Sequence, residues 1–510
     1  MEVETIKSSE HRLVHLDLKG APPKLSYLQE IIPLMHRWGV TGLLVEYEDM
    51  FPYSGEIQEI ACANAYRLQL SHLKSSWFSS FFFHSVAELN RLLEIARRHD
   101  MIVIPLTQTF GHFEFVLKHD KWHKLREVPI SPLTLCPLNE GSLSLLYEMM
   151  DQILALHPDS KWLHIGADEV YHIGICPACA AHMRENSLSL PEMFLSHIRR
   201  LLDYLREKHP NIQPIMWDDM LRAADLAFIQ KSNIGNLVEP MVWFYGNTFD
   251  IPLEIWDRYA AAFETMWVAS AFKGATGPRM FATDIMFHAG NQKMWLSLVD
   301  EFVKPKFKSF RGYAVTGWSR YDHYAVLCEL LPVGLPSLAI CTLILKHGGF
   351  SEEVHKQASE DLNFSTLVPL VPNNSINQTF SCDFPGCRIY LGIQYFIKLR
   401  MEYKSLMTND RLKGWMTPYH VRHNYTNPVH LEHFLIPATE ILNGLKSFRK
   451  DMEGVFSEAL YADAVDEWLA VNVDARIERL ASVVAAALAQ VKVGGRVKGY
   501  QVNDVDMTSS

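Results

Sequence analysis

From the N-terminus to about residue 350, short apolar runs alternate with longer stretches whose apolar positions recur every three or four residues. Eight runs read as strands: Arg12–Asp17, Gly42–Tyr47, Met101–Thr107, Trp162–Gly166, Pro214–Trp217, Leu237–Trp243, Met266–Ala271 and Gly312–Gly317. Nearly continuous apolar character is what a strand covered on both faces requires. The stretches between them carry helical faces, such as Tyr27, Leu28, Ile31, Ile32, Leu34, Met35 and Trp38, or Leu89, Leu92, Leu93, Ile95 and Ala96. Eight βα units in succession predict a closed parallel barrel rather than an open doubly wound sheet. No Gly-rich phosphate loop follows the first run, where Lys19-Gly20-Ala21-Pro22-Pro23 stands. The expected fold class is therefore α/β: a (β/α)8 TIM barrel over residues 1–350, followed by a mainly helical C-terminal region over 351–510.

Two stretches depart from this rhythm. Residues 67–84 bring Trp77, Phe78 and Phe81–Phe83 to a place where a polar loop is expected. They read as an insertion foreign to the fold, with a buried lid as the other reading. After residue 350 a loop-rich stretch, Asn363–Cys387, leads into Leu435–Leu445, Phe456–Leu469 and Ile477–Leu488, all with helical spacing. The last residues read as a frayed tail.

Composition narrows the function. The 510 residues are 48% hydrophobic and 21% charged, enough to bury a large core. The net charge of −10 argues against nucleic acid, whose recognition needs a basic surface. The start of the chain lacks the apolar run of a signal peptide. The longest apolar stretch, Leu330–Leu345, is interrupted by Pro332 and Pro336 and is shorter than the ~20 residues a bilayer requires, so no membrane role is expected. Eight cysteines are too few for a disulfide scaffold, and reduced thiols are expected. Cys176-Pro-Ala-Cys179, with His182 downstream, has metal-ligand spacing at one end only. With no second CxxC it reads as a thiol pair, and no metal is expected.

In such a barrel, chemistry gathers where the strands end. The runs terminate in Asp17; Glu46, Glu48 and Asp49; His112 and Glu114; Asp168 and Glu169; Trp217, Asp218 and Asp219; Trp243 and Tyr245; Ser270 and Lys273; Trp318, Arg320 and Tyr321. Carboxylates and flat aromatic rings converging on one rim suit a sugar, whose C–H faces stack on the rings while its hydroxyls bind the acids. The sharpest local feature is His164-Ile165-Gly166-Ala167-Asp168-Glu169. Neighbouring carboxyls push their pKa values apart, so that one can act as acid while the other stays an anion.

The HIGADE segment resembles the signature of glycoside hydrolase family 20, the β-N-acetylhexosaminidases. The segments HLDLKGAPP, EYEDMFPY, TFGHFEFVLKH, WDDML, ASAFKGATGP and TGWSRYDHY resemble one branch of that family along almost the whole barrel. The resemblance implies a retaining exo-β-N-acetylhexosaminidase without a protein nucleophile, the substrate's 2-acetamido oxygen attacking the anomeric carbon. It implies that Asp168 steadies the acetamido group and that Glu169 is the general acid and base. Tyr245 would bond the acetamido carbonyl, and Trp217, Trp243 and Trp318 would enclose the sugar. Asp17, His112, Glu114, Asp218 and Arg320 are expected at its hydroxyls. The branch further implies N-acetylhexosaminide glycoconjugates as partners with a preference for galactosaminides, no cofactor and a homodimer. It also implies a cytoplasmic and nuclear location with some release in extracellular vesicles. Two other readings stand beside it: a retaining glycosidase using Glu48 or Asp49 as nucleophile, and a catalytically weak sugar-binding pseudoenzyme.

Overall fold

The computed structural model describes residues 10–63, 65, 87–372 and 380–495. The expected insertion at 67–84 and the expected frayed tail lie outside the described residues.

Eight parallel strands close into a barrel: β1 (His11–Asp17), β2 (Gly42–Glu46), β3 (Ile102–Leu106), β6 (Trp162–His164), β7 (Gln213–Trp217), β8 (Glu239–Trp243), β9 (Thr265–Lys273) and β10 (Ser309–Gly317). Each expected run overlaps one of these strands. The remaining pair, β4 (Arg126–Val128) and β5 (Ser131–Leu135), forms an antiparallel hairpin inserted between β3 and β6. Periodicity does not announce it, because strands of three and five residues are too short to repeat a pattern. β1 closes the barrel by pairing with β10, His11 opposite Gly312 and Val14 opposite Val315. At the upper rim Asp17 pairs with Glu46, and Glu46 with Leu106, so register alone sets strand-end side chains beside one another.

The interior is layered. Leu13, Leu44, Ile104, Ile215, Met241, Ala269 and Ala314 are fully buried within it. The lower end is plugged by Trp267, whose ring lies 5.7 Å from His11 and 5.9 Å from Trp162, centroid to centroid. Its indole N–H donates to Glu239 Oε2 at 2.7 Å, and Glu239 is held by Arg311 at 2.7 Å. The upper layer is Trp217 and Trp318, packed on His164 and His15 at 4.4 and 4.7 Å.

The helices form where the 3.6-residue pattern places them, Leu25–Arg37 burying the face expected of it. The stretch with Pro332 and Pro336 is one continuous buried helix, Leu331–His347. Pro332 sits in its first turn, where no backbone N–H partner is needed, and Pro336 is accommodated inside it. No helix among the described residues is long and apolar enough to cross a membrane.

The chain divides into two compact units, the first running to Val371 and including Phe380–Pro385. The second is built on Cys387–Met407, Pro428–Phe456, Ala462–Leu469 and Ala475–Val493. Around its centre, Trp468 lies 5.4 Å from Phe396 and 4.8 Å from Phe456. The stretch expected as one helix over Phe456–Leu469 is broken by a turn before Ala462. Six cysteines are free thiols; Cys382 and Cys387 are disulfide-bonded, against the expectation of thiols throughout.

Replacing Trp267 by alanine should destabilise the protein by about 3–5 kcal/mol, the usual cost of deleting a buried indole. Urea unfolding followed by circular dichroism measures this, and a loss under about 1 kcal/mol would show that the plug is not part of the core.

Candidate active site

A recess of about 720 Å³, counting its open mouth, lies at the upper end of the barrel. Asp168, Glu169 and His112 stand on one side, Trp217, Trp243, Tyr245 and Trp318 line it, and Lys19, Glu46, Gln108, Arg320 and Tyr321 complete it.

The loop after β6 presents the two acids by an unusual backbone path. Gly166, Ala167 and Glu169 all have positive φ, at 62°, 67° and 47°. Only glycine serves at the first of these, because a Cβ on Gly166 would lie 2.0 Å from Gln108 Oε1. The turn is held by Gly166 N–H donating to His164 Nδ1 at 3.0 Å and Ala167 N–H to Gln108 Oε1 at 3.2 Å. Glu169 N–H donates to Asp219 Oδ2 at 2.9 Å. Two alternating side chains that a strand would send to opposite faces are thereby both brought to one imidazole.

That imidazole is His112, itself at φ 49°. Its Nε2 lies 3.0 Å from Glu169 Oε2 and 3.5 Å from Asp168 Oδ2. Burial alone would lower the His112 pKa, but Asp168 and Glu169 together raise it to about 10, so the ring is a cation at neutral pH. Burial raises the pKa of Asp168, and the His112 charge only partly opposes it. Glu169 is lowered, chiefly by its hydrogen bond to His112. In the free protein these directions are the reverse of those the family roles demand, which need Asp168 ionised and Glu169 protonated. The reason is depth: the Asp168 side chain is 10% exposed and that of Glu169 35%.

The aromatic wall is continuous. Trp243 stacks on Tyr245 at 5.2 Å, Tyr245 meets Trp318 edge-on at 6.5 Å, and Trp318 lies 6.3 Å from Trp217. Asp219 fixes this wall by accepting the Trp243 indole N–H at 3.2 Å. Burial and neighbouring Asp168 push the Asp219 carboxyl up to about 7.

Of the expected residues, Asp168, Glu169, His112, Trp217, Trp243, Tyr245, Trp318 and Arg320 line the recess. Arg320 spends N–H groups on the carbonyls of Lys19 and Ala325. The other three do not line the recess. Asp17 accepts from Lys19 Nζ at 3.3 Å and Ser319 N–H at 2.8 Å. Asp218 is paired with Arg222 at 2.6 Å and takes the Tyr259 hydroxyl at 3.1 Å. Glu114 is fully buried, and burial raises its pKa. Neither Glu48 nor Asp49 lines the recess. Glu48 is held by Lys19 and His323, and Asp49 by Lys118 at 2.6 Å.

Lys19 and Gln108 are not among the residues expected from sequence, and Glu46 and Asp219 stand among the expected strand-end carboxylates without an assigned role. Glu46 accepts from His15 at 2.9 Å and from Gln108 at 3.1 Å, and Lys19 lies 3.8 Å from it. Its position as the last residue of a strand is what set it among the expected rim carboxylates.

The catalytic-domain profile of glycosyl hydrolase family 20 matches residues 64–247. Human Hexosaminidase D is 39% identical over 478 residues, 93% of each chain. Bovine Hexosaminidase D is 42% identical over 359 residues, covering 70% of this chain and 98% of that protein. Among solved structures, the β-N-acetylhexosaminidase of Bacteroides fragilis superposes with a TM-score of 0.47 at 15% identity, covering 69% of each chain. The chain therefore belongs to glycosyl hydrolase family 20 and is a β-N-acetylhexosaminidase similar to Hexosaminidase D.

Proposed function

We propose that the recess removes terminal non-reducing N-acetylhexosamine by substrate-assisted catalysis with retention, Asp168 and Glu169 dividing the work. The observation that carries this reading is the pair of acids on one imidazolium, facing a recess walled by Trp217, Trp243, Tyr245 and Trp318. A sugar ring stacks on such a wall, and the acetamido oxygen is placed to attack its own anomeric carbon. Asp168 accepts the acetamido N–H and, as an anion, steadies the oxazolinium ion that forms. Tyr245 donates its hydroxyl to the acetamido oxygen. Glu169 gives a proton to the departing oxygen and recovers it from the attacking water.

Substrate binding supplies the inversion of pKa that this division needs. An amide N–H beside Asp168 favours its anion, while a sugar covering the half-exposed Glu169 strips water from it and favours the acid. The Glu48 or Asp49 nucleophile finds no support, since both carboxyls are engaged outside the recess. Similarity to Hexosaminidase D supports galactosaminides as the preferred substrates, a homodimer, and a cytoplasmic and nuclear location with release in vesicles, all within the same proposal.

Hydrolysis of paired aryl β-GalNAc and β-GlcNAc substrates, with and without a thiazoline inhibitor, tests the reading. The expected result is faster turnover of the GalNAc compound and strong inhibition. Turnover indifferent to the acetamido group would overturn it. Glu169→Gln should lower kcat by about 10²–10⁴-fold for poor leaving groups and much less for activated aryl ones. Asp168→Asn should slow both alike, because it impairs formation of the intermediate.

The pH profile tests the inversion. The His112 cation lowers Glu169 in the free enzyme, so the alkaline limb of kcat/KM should lie below that of kcat. In His112→Gln the two limbs should draw together. Coincident limbs in the unaltered enzyme would refute the inversion.

A further inference from the structure

Four side chains outside the catalytic recess converge on one point. Glu127 lies on β4, Cys136 directly follows β5, Cys176 caps the helix Pro177–Glu185, and Cys179 lies in its first turn. One donor atom from each falls within 4.8 Å of all the others. Cys136 Sγ is 3.7 Å from Cys176 Sγ and 3.6 Å from Cys179 Sγ, and Cys179 Sγ is 3.3 Å from Glu127 Oε2.

These separations have a chemical meaning. Thiolates bound to zinc at about 2.3 Å in a tetrahedron stand about 3.8 Å apart. A disulfide would bring two of them to about 2.05 Å. Glu127 is itself oriented: its Oε1 accepts the N–H groups of Ile175 and Cys176 at 2.6 and 2.9 Å, which leaves Oε2 for the sulfurs. Outer hydrogen bonds of this kind hold a ligating carboxylate in place. Cys179 N–H donates to Cys176 Sγ at 3.3 Å at the helix N-terminus. The Arg200 guanidinium, anchored on the Pro137 carbonyl at 2.8 Å, adds a cation beside the cluster.

We propose that Glu127, Cys136, Cys176 and Cys179 form a structural zinc site. Three soft sulfurs select zinc over magnesium or calcium, and four protein ligands leave no open position for catalysis. The site ties together the loops that build the active site. The β4–β5 hairpin is bonded to the loop bearing His112, Phe113 N–H donating to the Leu133 carbonyl at 3.0 Å and Leu135 N–H to that of Phe110 at 3.1 Å. Cys176 and Cys179 end the segment that begins at Asp168 and Glu169. A metal here fixes the β3 loop against the β6 loop, and so fixes His112 against its two acids. Only the CxxC is visible in sequence, since Cys136 and Glu127 lie 40 and 49 residues before Cys176.

The test is elemental analysis of the full chain, expressed with added zinc and gel-filtered under reducing conditions. The expected content is about one zinc per chain, falling to under about a tenth in Cys136→Ser and Cys179→Ser. Cys62→Ser, whose thiol lies elsewhere, should keep its zinc. Both site variants should also melt at lower temperature. Should they fail to fold, the unaltered chain loaded with cobalt must show intense thiolate-to-metal absorption with tetrahedral d–d bands. Metal-free protein after zinc loading, zinc retained in the double variant Cys136→Ser/Cys179→Ser, or intact mass showing Cys136 in a disulfide would each overturn the proposal.

Discussion

Two carboxyl groups one residue apart at the bottom of a recess repel each other and lose hydration, and a cation between them is what lets both remain there. His112 is that cation, 3.0 and 3.5 Å from the two acids. Removing one partner from such a buried set leaves uncompensated charge. The same contact explains the uneven effect on the acids: the shallower Glu169 takes the hydrogen bond and stays ionised, while burial dominates at Asp168. The imidazolium thus holds the Glu169 carboxyl below its ordinary range in the free protein.

Around this triad lies a second layer of buried charge. Lys19 touches Asp17 and Glu48 at 3.3 and 3.2 Å and stands 3.8 Å from Glu46, and His15 bonds Glu46 at 2.9 Å. Desolvation opposes the charges of Lys19, Glu46 and Glu48. Glu46 nevertheless stays well below the ordinary carboxylate range, because Lys19 and His15 outweigh that burial. Glu48, driven first by burial and then by the crowding of Glu46, Asp17 and Asp49, goes the other way. Such networks add little net stability. Their value here is geometric, since they fix Gln108 and through it the turn that carries Asp168.

The recess depends on loops more than on strands. Strand register delivers Glu46 and Trp217, but His112, Asp168 and Glu169 sit on segments with left-handed residues that the barrel does not dictate. The hairpin Arg126–Leu135 and the helix from Pro177 brace those segments from outside, and the glycine at 166 lets Gln108 approach them. A glycosidase needs its acids held to fractions of an ångström, and this bracing supplies it.

Alternation of apolar and helical segments along the chain sufficed for the barrel, its eight strands and the rim on which chemistry gathers, because each strand's burial is written in its own few residues. The HIGADE segment likewise marked its two acids, and the aromatic strand ends marked the wall. Which of the strand-end acids face the recess was beyond reach: Asp17 ends a strand just as Glu46 does and Asp218 follows one, yet they turn to Lys19 and Arg222. The protonation pattern and the Glu127–Cys136–Cys176–Cys179 cluster were equally hidden, since both arise from groups tens of residues apart. Local pattern fixes where a side chain sits on its element; only folding decides what lies across from it, and charge and metal chemistry depend on that distance.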